Sequence, residues 1–523
     1  MEPIGYSSHW RETSYLLGID VGTYESKGVI VTTSGEVLAS AAVGHELLMP
    51  RPGWVEHDAE GVWWNDFVTL CRRLLEKSGV DPKQIVGVGV SAIAPCVLPV
   101  DSAGRPLRPA ILYGIDTRAS EEVAELERAL GRDAIFAHCA LHLSSQAAGP
   151  KILWLRRHEP DVWARTETIL TGSGYIVFKL TGERTIDVYT ATAYAPLLDV
   201  HARAWSVEMS RPITPLDKLP RLAWSPDVVG HVTREAAGET GLVEGIPVVA
   251  GTADAAAEAL SAGLALPGDL MVMYGSSTFL IQKTERLVIA DKVWGAVFLE
   301  EGTYAIAAGM STGGSLTRWF RDNLAPEERA AEMEGGPNAY AALAQLAAQS
   351  PPGANGLIVL PYFSGERSPI NDPDARGLIA GLTLSHTRAD LYRAILESVG
   401  YGIRHSVDAM GEESAPPRRV LAVGGGTKNP LWLQIVSDIV GIEQLIPDQH
   451  YGASYGDAFL AGVGIGLFAD TTEISTWVGY RQTVRPNADA HRQYEAYYRL
   501  YRQIYEDSAP TVHRLARLAT VRK

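Results

Sequence analysis

The sequence predicts an α/β fold built in two related halves, and three observations predict it. Short runs rich in Val, Ile and Leu alternate with stretches of helical spacing. A strand–turn–strand pattern around a small-residue turn opens near residue 15 and returns near residue 268. After each hairpin come strands that run through small-residue turns into helices, so the halves share an architecture with little residue identity.

In chain order, "LLGIDVGTYESKGVIVTTSGEV" (16–37) leads into a third apolar run, a β-meander. "WWNDFVTLCRRLLEK" (63–77) has helical spacing, and "IVGVGVSA" (85–92) and "CVLPVD" (96–101) are strands. From about Glu121 to Leu180 the pattern is helical. "IPVVAGTADAAAEALSAGL" (246–264) runs from strand through a turn into an Ala-rich helix, and "GDLMVMYGSSTFLIQ" (268–282) is the second hairpin. "RRVLAVGGGTKNPLWLQIVSDIVG" (418–441) is strand, Gly-rich turn and helix, and the tail from His491 is a closing helix. The halves divide as residues 1–258 and 259–485, with 486–523 closing the chain.

The chain has 523 residues, 46 basic and 61 acidic, for a net charge of −15 spread without acidic blocks. That balance argues against nucleic acid or an anionic membrane as partner, since both call for a basic face. Cys71, Cys96 and Cys139 have no CxxC spacing, so neither a disulfide framework nor a zinc site is expected. The N-terminal "MEPIGYSSHWRETSY" lacks the basic patch and long apolar stretch of a signal peptide, and no apolar run spans a bilayer. A cytoplasmic location is the expectation.

The turns carry the chemistry. In "DVGTYESK", Gly22 permits a tight turn whose N–H groups converge on an anion, and Thr23 adds a hydroxyl. Asp20 supplies the lone carboxylate that Mg²⁺ takes beside phosphate oxygens and waters; the alternative is an ordinary hairpin. "YGSST" (274–278) repeats the arrangement with Gly275, Ser276, Ser277 and Thr278, so two hairpins could clamp a polyphosphate across a cleft. "GGGTKNP" (424–430) is a turn where a nucleotide can approach the backbone, or a plain tight connection. "MSTGGS" (310–315), with Gly313 and Gly314, is a weaker turn of the same type. No GxxxxGK[ST] P-loop occurs, and "GVGIG" (462–466) lacks dinucleotide spacing and is read as helix packing. Asp254, at the start of the Ala-rich helix, is either an N-cap or a general base kept ionised by the helix N-terminus. Beside two phosphate turns the base is the better reading.

Seven stretches in order, "GIDVGT", "PGWVEHD" (52–58), "AGTAD" (250–254), "YGSST", "LPYFSGERSP" (360–369), "GLTLSHTRADLYRAILE" (381–397) and "VGGGTKNPLWLQIVSDI" (423–439), resemble the FGGY carbohydrate kinases. "GPKILWLRRHEP" (149–160) is most similar to the xylulose kinases among them. The resemblance implies two RNase H-like domains of the actin/hexokinase type, sugar-binding then nucleotide-binding, with the active site in the cleft between them. It implies ATP and Mg²⁺ as cofactors, a small sugar or polyol as partner, and is compatible with a homodimer. Asp254 matches the family's base, Asp20 and Thr23 its first phosphate loop, and Gly275 with Ser276 its second, where Thr is usual for the latter. Gly425, Gly426 and Asn429 fall in its nucleotide-side turn. Asp116 and Arg118, in "LYGIDTR", match a stretch lining the sugar side, with one residue inserted and Tyr113 in place of Trp.

Two departures bear on the sugar. "SAIAPC" (91–96), with Ala94 and Pro95, stands where xylulose kinases carry Gln-Met-His-Gly, and Ala255 follows Asp254 where Asn or Gln is usual. Phe279 matches an aromatic ring of glycerol kinases or packs in the core. The expected activity is an ATP-dependent kinase for xylulose, with ribulose, a glycerol- or erythritol-type polyol, or a sugar acid as alternatives. The rival from another class is a non-enzymatic ATP-binding switch of the same fold.

Overall fold

A computed structural model describes residues 14–449 and 451–520; the N-terminal stretch 1–13, read above for a signal peptide, lies outside them. Three antiparallel strands open the first sheet: β1 (Tyr15–Val21), β2 (Glu25–Thr32) and β3 (Val37–Gly44). Helix α1 (Asn65–Ser78) follows, burying Phe67, Leu70, Cys71 and Leu74 at helical spacing and stopping at Gly79, whose φ of 67° ends the helix. Next come β4 (Ile85–Ala92), β5 (Val228–His231), β6 (Pro247–Val249) and the two-residue β7 (Thr252–Ala253). The sheet order is β5-β6-β4-β1-β2-β3, with β7 also on β4. Both β1 and β7 run parallel to β4. Strand β1 is buried from Leu16 to Val21 because both its faces are covered, and Asp20 is its one charged residue.

Helix α2 (Asp254–Ser261) leads into the second sheet: β8 (Asp269–Tyr274), β9 (Thr278–Thr284), β10 (Trp294–Val297), β11 (Tyr304–Met310), β12 (Arg419–Val423), β13 (Gln444–Pro447) and β14 (Tyr480–Val484). Its order is β10-β11-β9-β8-β12-β13-β14. The parallel pair β8/β12 repeats the parallel pair β1/β4, each beside an antiparallel hairpin, so the two-fold architecture read from the sequence is present. Helices α3 (Arg388–Glu413) and α4 (Pro430–Val440) cover one face of this sheet, and α6 (Ala488–Thr520) packs on them. Between α4 and α6 in the chain lies α5 (Ala453–Gly464).

Helices α2 and α5 share a core with residues of both sheets, among them Leu16, Val29, Met271 and Leu421. The approach is close enough to require glycine. A Cβ on Gly89 of β4 would sit 1.9 Å from the Asp457 carbonyl oxygen of α5, and one on Gly18 of β1 equally near that of Ser454. Thus α5, encoded after the second sheet's parallel strands, packs on the first sheet's central strands.

Two details differ from the sequence reading. The helical stretch 121–180 is broken by a strand, Thr168–Leu170, which pairs with Leu98–Val100. Asp254 is the first helical residue rather than the cap, which is Ala253. Among the described residues no helix is long and apolar enough to cross a membrane.

Candidate active site

Parallel pairing brings the key side chains of the first half into one row. Asp20 on β1 and Thr252 on β7 both pair with Ser91 of β4, and Asp254 follows two residues after Thr252. The ends of parallel strands, where connections leave the sheet, are where α/β proteins place ligands. Asp254 accepts the N–H of Ala255 at 2.8 Å, and burial pushes its carboxyl up to about 6. Asp20 lies well above the usual carboxylate range, first through burial and then through the nearby charge of Asp254. Glu258, one turn along α2, is pushed up to about 7 by burial. Lys27, which pairs with Glu25 at 3.2 Å, is the cation that opposes these shifts at Asp20 and Glu258.

The Ser91 hydroxyl faces Asp20 Oδ1 at 3.0 Å and Asp457 Oδ2 at 2.7 Å. One hydroxyl has one proton to give, so the second carboxyl must bring its own. Asp457 is fully buried on α5 and is raised well above the usual carboxylate range by burial and then by Asp20. The sequence reading passed over both residues: Asp457 sits in a helix of small residues, and its partner Ser91 is 366 positions away.

The first turn is braced from behind. The N–H of Gly22 donates to the Glu25 carbonyl at 3.2 Å, and a Cβ there would stand 2.5 Å from that oxygen. His45 joins the Gly22 carbonyl (3.1 Å) to Asp66 (2.8 Å), which also accepts the Ser26 hydroxyl. Thr23 Oγ1 and the Tyr113 hydroxyl are 3.0 Å apart. His57 beside them is lowered to about 4, by burial first and His45 second, and so is neutral.

In the second half, Gly275 is half-buried while Ser276 and Ser277 are exposed. The N–H groups of Gly313 and Gly314 donate to the carbonyls of Ser276 (2.9 Å) and Gly275 (2.8 Å), so that loop backs the serine turn rather than offering those amides outward. The third turn, 424–429, closes on the same place because β12 lies beside β8. A Cβ on Gly424 would be 2.8 Å from the Tyr274 carbonyl oxygen, and one on Gly426 2.7 Å from the Tyr274 side chain. A Cβ on Gly425 would meet nothing within 4 Å, and Asn429 caps α4 through the Trp432 N–H at 3.1 Å.

The sugar-side residues behave differently. Asp116 and Arg118 are buried and bind each other, Nη2 to Oδ2 at 2.7 Å, while Asp116 also accepts the Val55 N–H. Arg118 lies 4.2 Å from the centre of the Trp54 ring and reaches Glu56 at 2.8 Å, leaving only Nη1 without a partner. Lys151 ties the carbonyls of Leu112, Tyr113 and Ser145 together and is lowered to about 8 by burial. Ala94 and Ala255 are half-buried, and Pro95 is buried. Phe279, on β9, packs against the core shared by the two sheets.

Chemically, this is a cluster of carboxylates with little cationic compensation, next to a turn able to take phosphate. No group of three metal-ligating side chains occurs among the described residues. That donor set fits magnesium, which takes one or two carboxylates and fills its remaining positions with phosphate and water.

The sequence model of the N-terminal domain of the FGGY family of carbohydrate kinases matches residues 15–261, and that of its C-terminal domain matches residues 270–465. The xylulose kinase of Staphylococcus xylosus is 28% identical over 501 residues, 94% of this chain and 100% of the relative. The glycerol kinase of Nocardia farcinica is 31% identical over 492 residues, covering 90% of this chain and 94% of that one. The crystal structure of xylulose kinase from Rhodospirillum rubrum superposes with a TM-score of 0.89 at 31% identity, covering 95% of this chain and 100% of the other.

Proposed function

Because the chain belongs to the FGGY family of carbohydrate kinases, we propose that it transfers the γ-phosphoryl group of ATP to a hydroxyl of a small sugar, with xylulose the first candidate. The observation that carries this reading is the row Asp20–Ser91–Thr252 with Asp254 beside it, at the ends of parallel strands. Asp254 acts as general base. The sugar oxygen bonds to the γ-phosphorus as the bond to the β–γ bridging oxygen breaks, the hydroxyl proton passes to Asp254, and ADP leaves. A carboxyl at about 6 is ionised at neutral pH yet basic enough to accept that proton.

Gly22 and Thr23 on one side, and Gly275 with Ser276 on the other, hold the phosphates; Gly313 and Gly314 support the second turn. Gly425, Gly426 and Asn429 receive the nucleoside side. Asp20 would hold Mg²⁺, which supplies charge neutralisation between the phosphates. In this account residues 1–258 carry the sugar, 259–485 the nucleotide, and 486–523 close the second unit. Asp116 and Arg118 shape the sugar wall with Tyr113, while Ala94, Pro95, Ala255 and Phe279 set its size and polarity. Small apolar side chains at Ala94, Pro95 and Ala255 offer few hydrogen bonds to particular hydroxyls, so ribulose, a glycerol-type polyol and a sugar acid stay in contention.

The test is a coupled ADP-release assay with MgATP over a panel of pentuloses, polyols and sugar acids. The reading expects sugar-dependent turnover, strongest with xylulose. ADP release independent of every sugar would overturn the kinase reading, and preference for another substrate would overturn xylulose alone.

A further inference from the structure

Arg367 is a guanidinium that no carboxylate contacts among the described residues, although the charge of Glu366 acts on it. It lies in "SGERSP" after β11, and burial lowers its pKa from the ordinary value. Among the described residues it forms no ion pair. Its single side-chain hydrogen bond runs from Nη2 to the Met310 carbonyl at 2.9 Å, and its Cζ lies 5.7 Å from the centre of the Trp294 ring. The adjacent Glu366 does not neutralise it by contact. Its Oε1 instead accepts the N–H groups of Ser311 (2.6 Å) and Arg367 (2.8 Å). The guanidinium is half-buried and held by one carbonyl and a ring, and among the described residues its Nε and Nη1 meet no protein acceptor, which leaves that edge open to an anion.

The surroundings say which anion. Met310, the residue that holds Arg367, is followed by the loop whose Gly313 and Gly314 amides back the Gly275–Ser276 turn. From the other half, the Tyr113 hydroxyl lies within electrostatic reach of Arg367, and that hydroxyl also contacts Thr23 of the first turn. Tyr113 in turn feels the charge of Asp254. Arg367 therefore stands beside the loop that backs the second phosphate-type turn, with the Tyr113 hydroxyl of the first half within electrostatic reach.

We propose that Arg367 is an oxyanion-binding residue of the cleft, whose free guanidinium edge takes the phosphoryl group as it passes from nucleotide to sugar. The same edge would fit the carboxylate of a sugar acid, and the experiment separates the two sources. The proposal rests on the kinase reading for its setting, but its binding arm does not depend on turnover.

Arg367→Met removes the charge, and Arg367→Lys keeps the charge but loses the planar fork. Phosphoryl binding predicts that Arg367→Met lowers kcat about 100-fold with neutral and acidic sugars alike, with KM values little changed, and that Arg367→Lys falls between. Carboxylate binding predicts instead a raised KM for gluconate alone. Calorimetry with inorganic phosphate and with gluconate, under saturating MgADP, gives the turnover-free arm: the matching anion should bind at least about tenfold more weakly to Arg367→Met. If Arg367→Met does not fold, Arg367→Lys carries both arms. Kinetics and anion binding within twofold of the parent in the folded variants would overturn the proposal. A parent without sugar-dependent turnover, but with phosphate binding lost on substitution, would sink the kinase reading and leave the anion site standing.

Discussion

Asp187 is a buried carboxylate that underpins the turn before Asp254, and its replacement by Asn has a calculable signature. Its Oδ2 accepts the Thr190 N–H and the Thr252 hydroxyl, both at 3.0 Å, while Oδ1 has no partner. Burial pushes the carboxyl from 3.8 up to about 6, against the hydrogen bonds from Thr190 and Thr252. The folded state thus holds the proton more tightly than the unfolded chain, and stability falls as pH rises from about 4 through about 6. That displacement corresponds to about 3 kcal/mol in all, of which roughly half falls between pH 5 and pH 8. Asn keeps an acceptor for Thr190 and Thr252 and cannot ionise. Urea unfolding of parent and Asp187→Asn, followed by tryptophan fluorescence at both pH values, isolates the residue because every other group titrates in both proteins. The variant should gain about 1–2 kcal/mol on the parent on going from pH 5 to pH 8. A stability difference independent of pH would refute the reasoning.

Other consequences follow from packing. Gly89→Ala should lower the melting temperature by overpacking β4 against the Asp457 carbonyl, at a cost of about 1–3 kcal/mol or more, whereas Gly238→Ala, inside the helix Arg234–Thr240 with open space around it, should hold or raise it. Lys151→Met strands the carbonyls of Leu112 and Ser145 and leaves that of Tyr113 with only the Asp116 N–H. It should cost about 3 kcal/mol or more in thermal unfolding. A melting point within a degree of the parent would show that those carbonyls find other donors.

The sequence made the hairpins legible because their signal is local: apolar runs broken by small residues at 22–23 and 275–277 predict strand, turn and strand, and β1/β2 and β8/β9 are there. The start of α2 at Asp254 was legible too, whereas the cap role that Asp favours falls to Ala253, which nothing in the local sequence marks. What stayed hidden depends on distant pairing. Asp457 reads as one acid in an Ala/Gly helix, and only the packing of α5 on β1 and β4 puts it against Ser91. The strand Thr168–Leu170 is three residues long, too short to register against flanking helical spacing. Asp116 and Arg118 match, by resemblance, a stretch lining the sugar side, and nothing in the sequence shows that the fold spends nearly all their hydrogen bonds on each other and on Val55 and Glu56.

The central claim, that Asp254 takes the proton of the sugar hydroxyl, is tested most directly by Asp254→Asn. Sugar-dependent ADP release should fall about 1,000-fold while MgATP binding and the unfolding midpoint stay near those of the parent. The parent's own rate should climb with pH to a plateau above about 6, as the carboxyl ionises, and the residual rate of the variant should lack that rise. Turnover by Asp254→Asn within tenfold of the parent, with the same pH dependence, would contradict the account.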